Sequence, residues 1–498
     1  LIFNKKMKKL FFIQLLLCLW AGTAQAQDTL RLDLTQAIGI GVGRSVDAAA
    51  AKNEYISAYW GYRTYRTELL PEITLNTTLP EYSKSYNMYQ NTDGSYTYVS
   101  NNFTRLDAGL TISQNIPLTG GKVTVESSLE RLRQNGANAA TRYRTMPAAI
   151  TLEQPLFGFN RVKWLKRIEP VKYEEARKKL VSDSEDVALT VIEYYFNLLL
   201  GQVNLEIAQQ NYQNAGKLYT IAEARRKIGQ LSEIELLQMR TSLLNAESAL
   251  TSARSSLNYR MFQLRSFLGY GEEVVLEPSI PGFLTEQIPY LAYDQVLAMA
   301  LQNNAFTHNV QRRMLEASRD VSQAKADRWD MKLYVLFGVS GQANSFKRAF
   351  DSHDWRDQQT ITVGLSIPIL DWGKRKGRVR VAKANKEVEL SHLEKQSLDF
   401  KQNIFMQVQY FNDQPGQLAI AKKTDEIARQ RYETSVEAFV LGKMDILNLN
   451  DSQSAKDEAR RNYIDQMFRL WSYYYQIRSL TLYDFIADQP LEYEYPEE

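Results

Sequence analysis

The chain has 498 residues, more than one hydrophobic core usually organises, with 44% apolar and 23% charged residues and a formal charge of +3. That balance excludes a strongly basic nucleic-acid-binding surface, and the single cysteine, Cys18, excludes a disulfide framework or a thiolate metal centre. Beyond the N-terminal segment no run of about 18 apolar residues occurs, so no transmembrane helix is expected.

Lys5, Lys6, Lys8 and Lys9 precede the apolar run Leu10–Trp20, and Ala24-Gln25-Ala26 follows with small-x-small character. This predicts a secretory signal peptide over residues 1–26, whose four lysines carry the excess positive charge. Without them the formal charge falls from +3 to −1. Cys18 lies within the signal and lacks the small residues that precede a lipidated cysteine. A cysteine-free, exported chain is the expectation.

Residues 27–72 then read as an opening helix, capped by Asp33 or Thr35 and running to about Leu70 before Pro71. Residues 291–330 repeat it: Leu32 matches Leu291 and Gln36 matches Gln295, an offset of 259. Strands are expected over 73–155 and 331–370. Leu106, Ala108, Leu110 and Ile112 alternate with polar residues, as do Val335, Phe337, Ile361 and Val363. Tyr82, Tyr86, Tyr89, Tyr96 and Tyr98 suit a membrane interface.

The long helices come next. Arg161–Ile228 and Lys374–Leu441 each read as a 68-residue rod, followed at Gly229 and Gly442 by a turn and a returning helix. The hairpins are expected over 156–270 and 371–486, with a linker at 271–290 and a tail at 487–498. Gly229 and Gly442 are 213 residues apart, and so are Pro155 and Pro368, Tyr219 and Tyr432, and Arg265 and Arg478. A constant offset over more than a hundred residues marks an internal repeat. The fall from 259 to 213 leaves 46 extra residues in the first half, read as one added hairpin with Pro117–Gly121 at its turn. Pro415-Gly416 is expected to kink or interrupt the second rod, and Pro170 lies near the start of the first.

Catalytic patterns are missing. Gly39, Gly41 and Gly43 fall in a predicted helix with no strand before them, unlike a dinucleotide-binding loop. Gly120-Gly121-Lys122 lacks the rest of a phosphate loop, and His308, His353 and His392 share no ligand spacing. The reading is a non-enzyme with no cofactor and no metal.

The duplicated order of helix, strands, long helix, turn and helix resembles the TolC-type outer-membrane efflux channels. The turn segments Gly229–Glu235 and Phe439–Asp451 are degenerate forms of that family's turn motif, and Ser366–Lys374 resembles its strand-to-helix junction, with Pro368 and Gly373 matched in the first half by Pro155 and Asn160. The resemblance implies an α+β outer-membrane channel: a trimeric β-barrel of four strands per subunit, continuous with a long antiparallel α-helical periplasmic barrel, two repeats per chain. It implies a homotrimer in outer-membrane lipid, a periplasmic adaptor and an inner-membrane RND or ABC pump, with no nucleic acid. Asp451, Asn448 and Glu235 would line the pore constriction. Ile228, Gly229, Gln230 and Leu231, with Leu441, Gly442, Lys443 and Met444, would form adaptor-docking tips. The function implied is a passive exit duct of a tripartite efflux or export system. The alternatives are a type I protein secretion duct or, from another class, a periplasmic coiled-coil rod that binds or scaffolds.

Overall fold

The computed structural model describes residues 29–136, 139–282, 288–366 and 369–493. The expected signal peptide, Cys18 and Pro368 lie outside them. The helices are α1 (Leu34–Arg44), α2 (Val46–Thr67), α3 (Arg161–Lys227), α4 (Glu233–Phe267), α5 (Tyr293–Asn303), α6 (Ala305–Ala326), the short α7 (Phe346–Ala349), α8 (Lys374–Val440) and α9 (Ile446–Thr481). Among the described residues no helix is long and apolar enough to cross a membrane.

The repeat is written into these boundaries. α3 and α8 each have 67 residues, and both start and end 213 positions apart. α1 and α2 recur as α5 and α6 at the offset of 259. The expected single opening helix is, however, two helices in each half. Ser45 is buried and extended, and its hydroxyl accepts the Ala48 amide, capping α2. Its counterpart Asn304 is likewise extended and buried, and its amide donates to the carbonyls of Ser479 and Leu480 at the end of α9. The Ser45 cap replaces a helical bond that the break removes, and the Asn304 amide satisfies carbonyls that the end of α9 would leave unpaired.

The rods also depart from expectation at proline. α8 continues through Pro415, as α3 does through Pro170. Around Pro415, Phe411, Gln414 and Leu418 are buried, and the Gln414 amide donates to the Gln466 carbonyl and side chain on α9. These lateral contacts offset the roughly 3 kcal/mol that an interior proline costs. Gly41 permits a close approach elsewhere: a Cβ there would sit 2.3 Å from Val191 Cγ2 on α3.

Six strands form one antiparallel sheet in the order β2 (Glu72–Gln90), β3 (Tyr96–Asn115), β4 (Lys122–Gln134), β5 (Ala140–Pro155), β7 (Asp330–Ala343), β8 (Trp355–Ser366). The first half supplies four strands and the second two, so the added hairpin expected in the first half, with its turn at Pro117–Gly121, joins the sheet beside the four strands that the resemblance implies. The β5–β7 pairing joins the halves. Ile73, Ile112, Val125, Ile150 and Phe337 stand in one cross-strand row, so one face is apolar. The next row, Ser113, Thr124, Thr151, Leu336 and Thr360, turns mostly polar groups to the other face. Above Phe103, where pairing with Gln134 ends, β2 and β3 continue as a two-stranded ribbon to the Gln90–Tyr96 pair. Tyr82, Tyr86, Tyr96 and Tyr98 are exposed and share one ribbon face by register.

The expected 271–290 linker contains a strand, β6 (Val275–Pro278), paired in parallel with β1 (Thr29–Leu32). Tyr195 on α3 holds the pair by donating to the carbonyls of Leu32 and Ser279, and burial pushes its hydroxyl up to about 12.

The chain divides into two compact units, each drawing on both halves. One contains the described residues up to Asn53, Lys178–Asn304 and those from Lys401 onward, hence both hairpin tips. The other contains Glu54–Arg177 and Ala305–Phe400, hence the six-stranded sheet. In the second unit, Tyr62 stacks on Tyr173 at 4.8 Å, and Glu175 pairs with Arg312 at 2.6 Å.

Candidate functional site

Two places carry the chemistry of passage: the hairpin tips in one unit and the strand wall in the other. Each tip ends its rod in the same way. Gly229 and Gly442 adopt φ of +77° and +74°, a region open chiefly to glycine. The Gln230 and Lys443 amides donate back to the Arg225 and Ala438 carbonyls, closing both turns with a left-handed C-cap.

The returning helices start alike as well. Ser232 caps α4 in a capping box, its hydroxyl accepting the Glu235 amide while the Glu235 carboxylate accepts the Ser232 amide. Hydrogen bonds from the Ser232 hydroxyl and backbone amide hold the Glu235 carboxyl below the usual range. At the matching positions, Asp445 accepts the Asn448 amide at 2.8 Å and the Asn448 side chain at 2.9 Å. Glu235 and Asn448, both expected at a constriction, are therefore occupied as helix-capping groups within the chain.

Asp451 sits elsewhere. It is exposed on α9 and pairs with Arg431 of α8 at 2.5 Å. Ile228 and Leu441 are each 68% exposed, whereas Leu231 and Met444 pack against a buried cluster of Leu218, Ala222, Met239, Tyr432, Phe439 and Leu449. Each of the two precedes its helix cap, at the position from which a hydrophobic staple forms, and the residue four places into that helix, Leu236 or Leu449, belongs to or packs against the same cluster. A cleft of about 320 Å³ opens here, lined by Arg225, Gln230, Glu235, Leu441, Asp445 and Ile446 among others.

Sequence reasoning missed the residue that ties the two tips. Arg225 donates to the Val440 carbonyl at 2.5 Å and lies 5.9 Å from the Phe439 ring. Its repeat partner is Ala438, and Arg431 and Asp451 likewise match Leu218 and Gln238. Departures from the repeat were the available signal, because a contact between non-identical hairpins needs non-identical residues.

At the junctions, Asn160 Oδ1 accepts the Lys163 amide and its Nδ2 donates to the carbonyls of Pro117 and Leu118. It thus caps α3 and fixes the β3–β4 turn. Pro155 ends β5. The second junction uses Asp371, which accepts the amides of Gly373 and Arg375, with Gly373 at φ +82°. Among the described residues no group of three His, Cys, Asp or Glu is placed to hold a metal.

A sheet with one apolar face and long rods ending in capped turns suits a conduit rather than a reaction centre. The family model for outer membrane efflux proteins matches residues 122–270 and 300–480. The chain belongs to the outer membrane efflux protein family. This efflux protein is 22% identical over 348 residues to the alkaline protease secretion protein AprF of Pseudomonas aeruginosa, covering 66% of the chain and 70% of AprF. It is 27% identical over 304 residues to the pyoverdine export outer membrane protein OpmQ of Pseudomonas putida, covering 58% and 60%. The Campylobacter jejuni CmeC outer membrane channel shares its fold, with a TM-score of 0.65, 15% identity, and coverage of 93% of the efflux protein and 87% of CmeC. The efflux protein is an outer-membrane exit duct with a large periplasmic helical portion, and not an enzyme.

Proposed function

We propose that three copies assemble into the duct, and that the paired tips receive cargo from an inner-membrane RND or ABC pump through a periplasmic adaptor. The observation carrying this is the matched apolar display: Ile228 and Leu441 are equally exposed, and Ile234 and Leu447 are 69% and 71% exposed at equivalent positions. Apolar side chains held at the ends of rigid caps suit a helical partner that reads both repeats alike. Gly229, Gln230, Gly442 and Lys443 shape this surface, and Leu231 and Met444 support it from beneath.

Asp451 is the proposed pore carboxylate, restrained by Arg431, while Glu235 and Asn448 hold the turns that present the constriction. A threefold ring of Asp451 would favour cations. Reversal potential across a salt gradient tests this. Asp451→Asn should bring it closer to zero, and Arg431→Ala should strengthen cation selectivity by freeing the carboxylate. An unchanged reversal potential in both variants would remove Asp451 from the constriction. Cargo follows the relatives' chemistry: polypeptide, as with the protease secretion protein, or a small exported molecule, as with the pyoverdine exporter. Co-purification with the pump it serves separates the two.

A further inference from the structure

The sheet is open. β2 and β8 are its edges, and among the described residues no strand lies beside the outer row of backbone donors and acceptors that each presents. In a membrane such edges cannot persist, because lipid offers no hydrogen bonds. Six antiparallel strands are an even number, so β8 runs opposite to β2. A β8 placed beside the β2 of another copy is therefore antiparallel again, and closure by copies keeps a single alternating wall. Pro80 has no amide hydrogen to offer, and a register shift separates Thr78 from Glu81. Together they set the top of the pairing edge at Glu72–Thr78, facing the 12-residue β8.

Resting on the trimeric reading above, we infer that the efflux protein closes an eighteen-stranded barrel, with every subunit boundary a β8–β2 pair. Strands about 4.8 Å apart and tilted about 40° give a backbone radius of about 18 Å for eighteen strands, against about 12 Å for twelve. A side-chain layer of about 5 Å leaves a clear radius of about 13 Å rather than about 7 Å. The wall then admits cargo of polypeptide width, and any narrow point belongs to the helical tips. The apolar row from Ile73 to Phe337 faces lipid, and the Thr74, Thr151 and Thr360 side faces the lumen.

The test uses cysteine pairs in a chain whose only natural cysteine lies in the expected signal peptide. Thr74 or Asn76 on β2 is combined with Thr360 or Thr362 on β8, all on the polar face of the wall. Antiparallel neighbours bring opposite Cα atoms to about 4.5–5.5 Å, within disulfide reach. At least one of the four combinations should yield covalent trimers under oxidation. In parallel, polyethylene glycol of about 10 Å radius added from the barrel side should lower the wild-type conductance. A complex with trimeric mass in detergent that forms no intersubunit disulfide in any combination, or that excludes the polymer, overturns the eighteen-stranded wall. A disulfide within one chain also overturns it, because the sheet would then close on itself. A monomeric or dimeric mass for the wild type would instead overturn the trimeric reading.

Discussion

Arg225→Ala tests the tie between the two tips. The substitution removes a charged hydrogen bond to the Val440 carbonyl and the contact with the Phe439 ring, while both glycine turns and both helix caps remain. Because this bond is exposed, the charge-assisted hydrogen bond stands at the low end of its range, about 1.5 kcal/mol, and the cation–π contact at about 0.5 kcal/mol. The loss is about 2 kcal/mol, a roughly 30-fold rise in the open population of the tips. Hydrogen exchange followed by mass spectrometry reads this directly in peptides spanning residues 226–231 and 441–445. Exchange there should quicken about 30-fold, with the middle of α3 and α8 unaffected. Arg225→Lys should fall between, keeping the charge but losing the planar fork. Tip exchange within about twofold of wild type would refute the reasoning, and would mean that the buried cluster alone holds the tips.

Gly41→Ala should destabilise the helical unit by about 1–3 kcal/mol, because the added methyl meets Val191 at 2.3 Å; thermal unfolding in detergent measures it. Arg478, its side chain 15% exposed, pairs with Glu185 at 2.9 Å and Asp484 at 2.8 Å. Arg478→Gln leaves the buried Glu185 without its ion-pair partner, while Asp484 keeps the Tyr474 hydroxyl and the Ile486 and Ala487 amides, and should cost about 3 kcal/mol, seen as a lower melting temperature and release of the segment after α9 to protease. The bonds from Ser232 hold the Glu235 carboxyl below the ordinary glutamate value of about 4.3. Its cap therefore contributes fully above that pH and is lost as pH falls through the lower folded value. Exchange at the start of α4, normalised to an unstructured peptide, should accelerate in that window, and Glu235→Gln should abolish the pH dependence.

Much of the helical architecture was legible because it is local and duplicated. The 213-residue offset located both rods to within one residue, and the glycines marked both turns, since few other residues adopt a positive φ. What stayed hidden depends on distant partners. Ser45 and Asn304 look compatible with one long helix, and the Asn304 break becomes intelligible only once its amide reaches Ser479 and Leu480. Pro415 reads as a breaker until Phe411 and Gln414 are seen packed into the bundle. The place of the added hairpin in the sheet was obscured for another reason. Half-buried strands give a weak alternating pattern, and bulges between Glu126 and Ser128 and between Thr145 and Ala148 interrupt it. At the tips, the family resemblance pointed to Glu235 and Asn448 but could not reveal that both are engaged in capping. Arg225 escaped notice because its acceptor is a backbone carbonyl 215 residues away.

The central claim is that this protein conducts. Single-channel recording of the purified oligomer in a planar bilayer addresses it most directly. The account predicts a small, steady, cation-selective current from the wild type that increases when Arg225→Ala loosens the tips. Folded, membrane-inserted oligomer that passes no current in either form would contradict it.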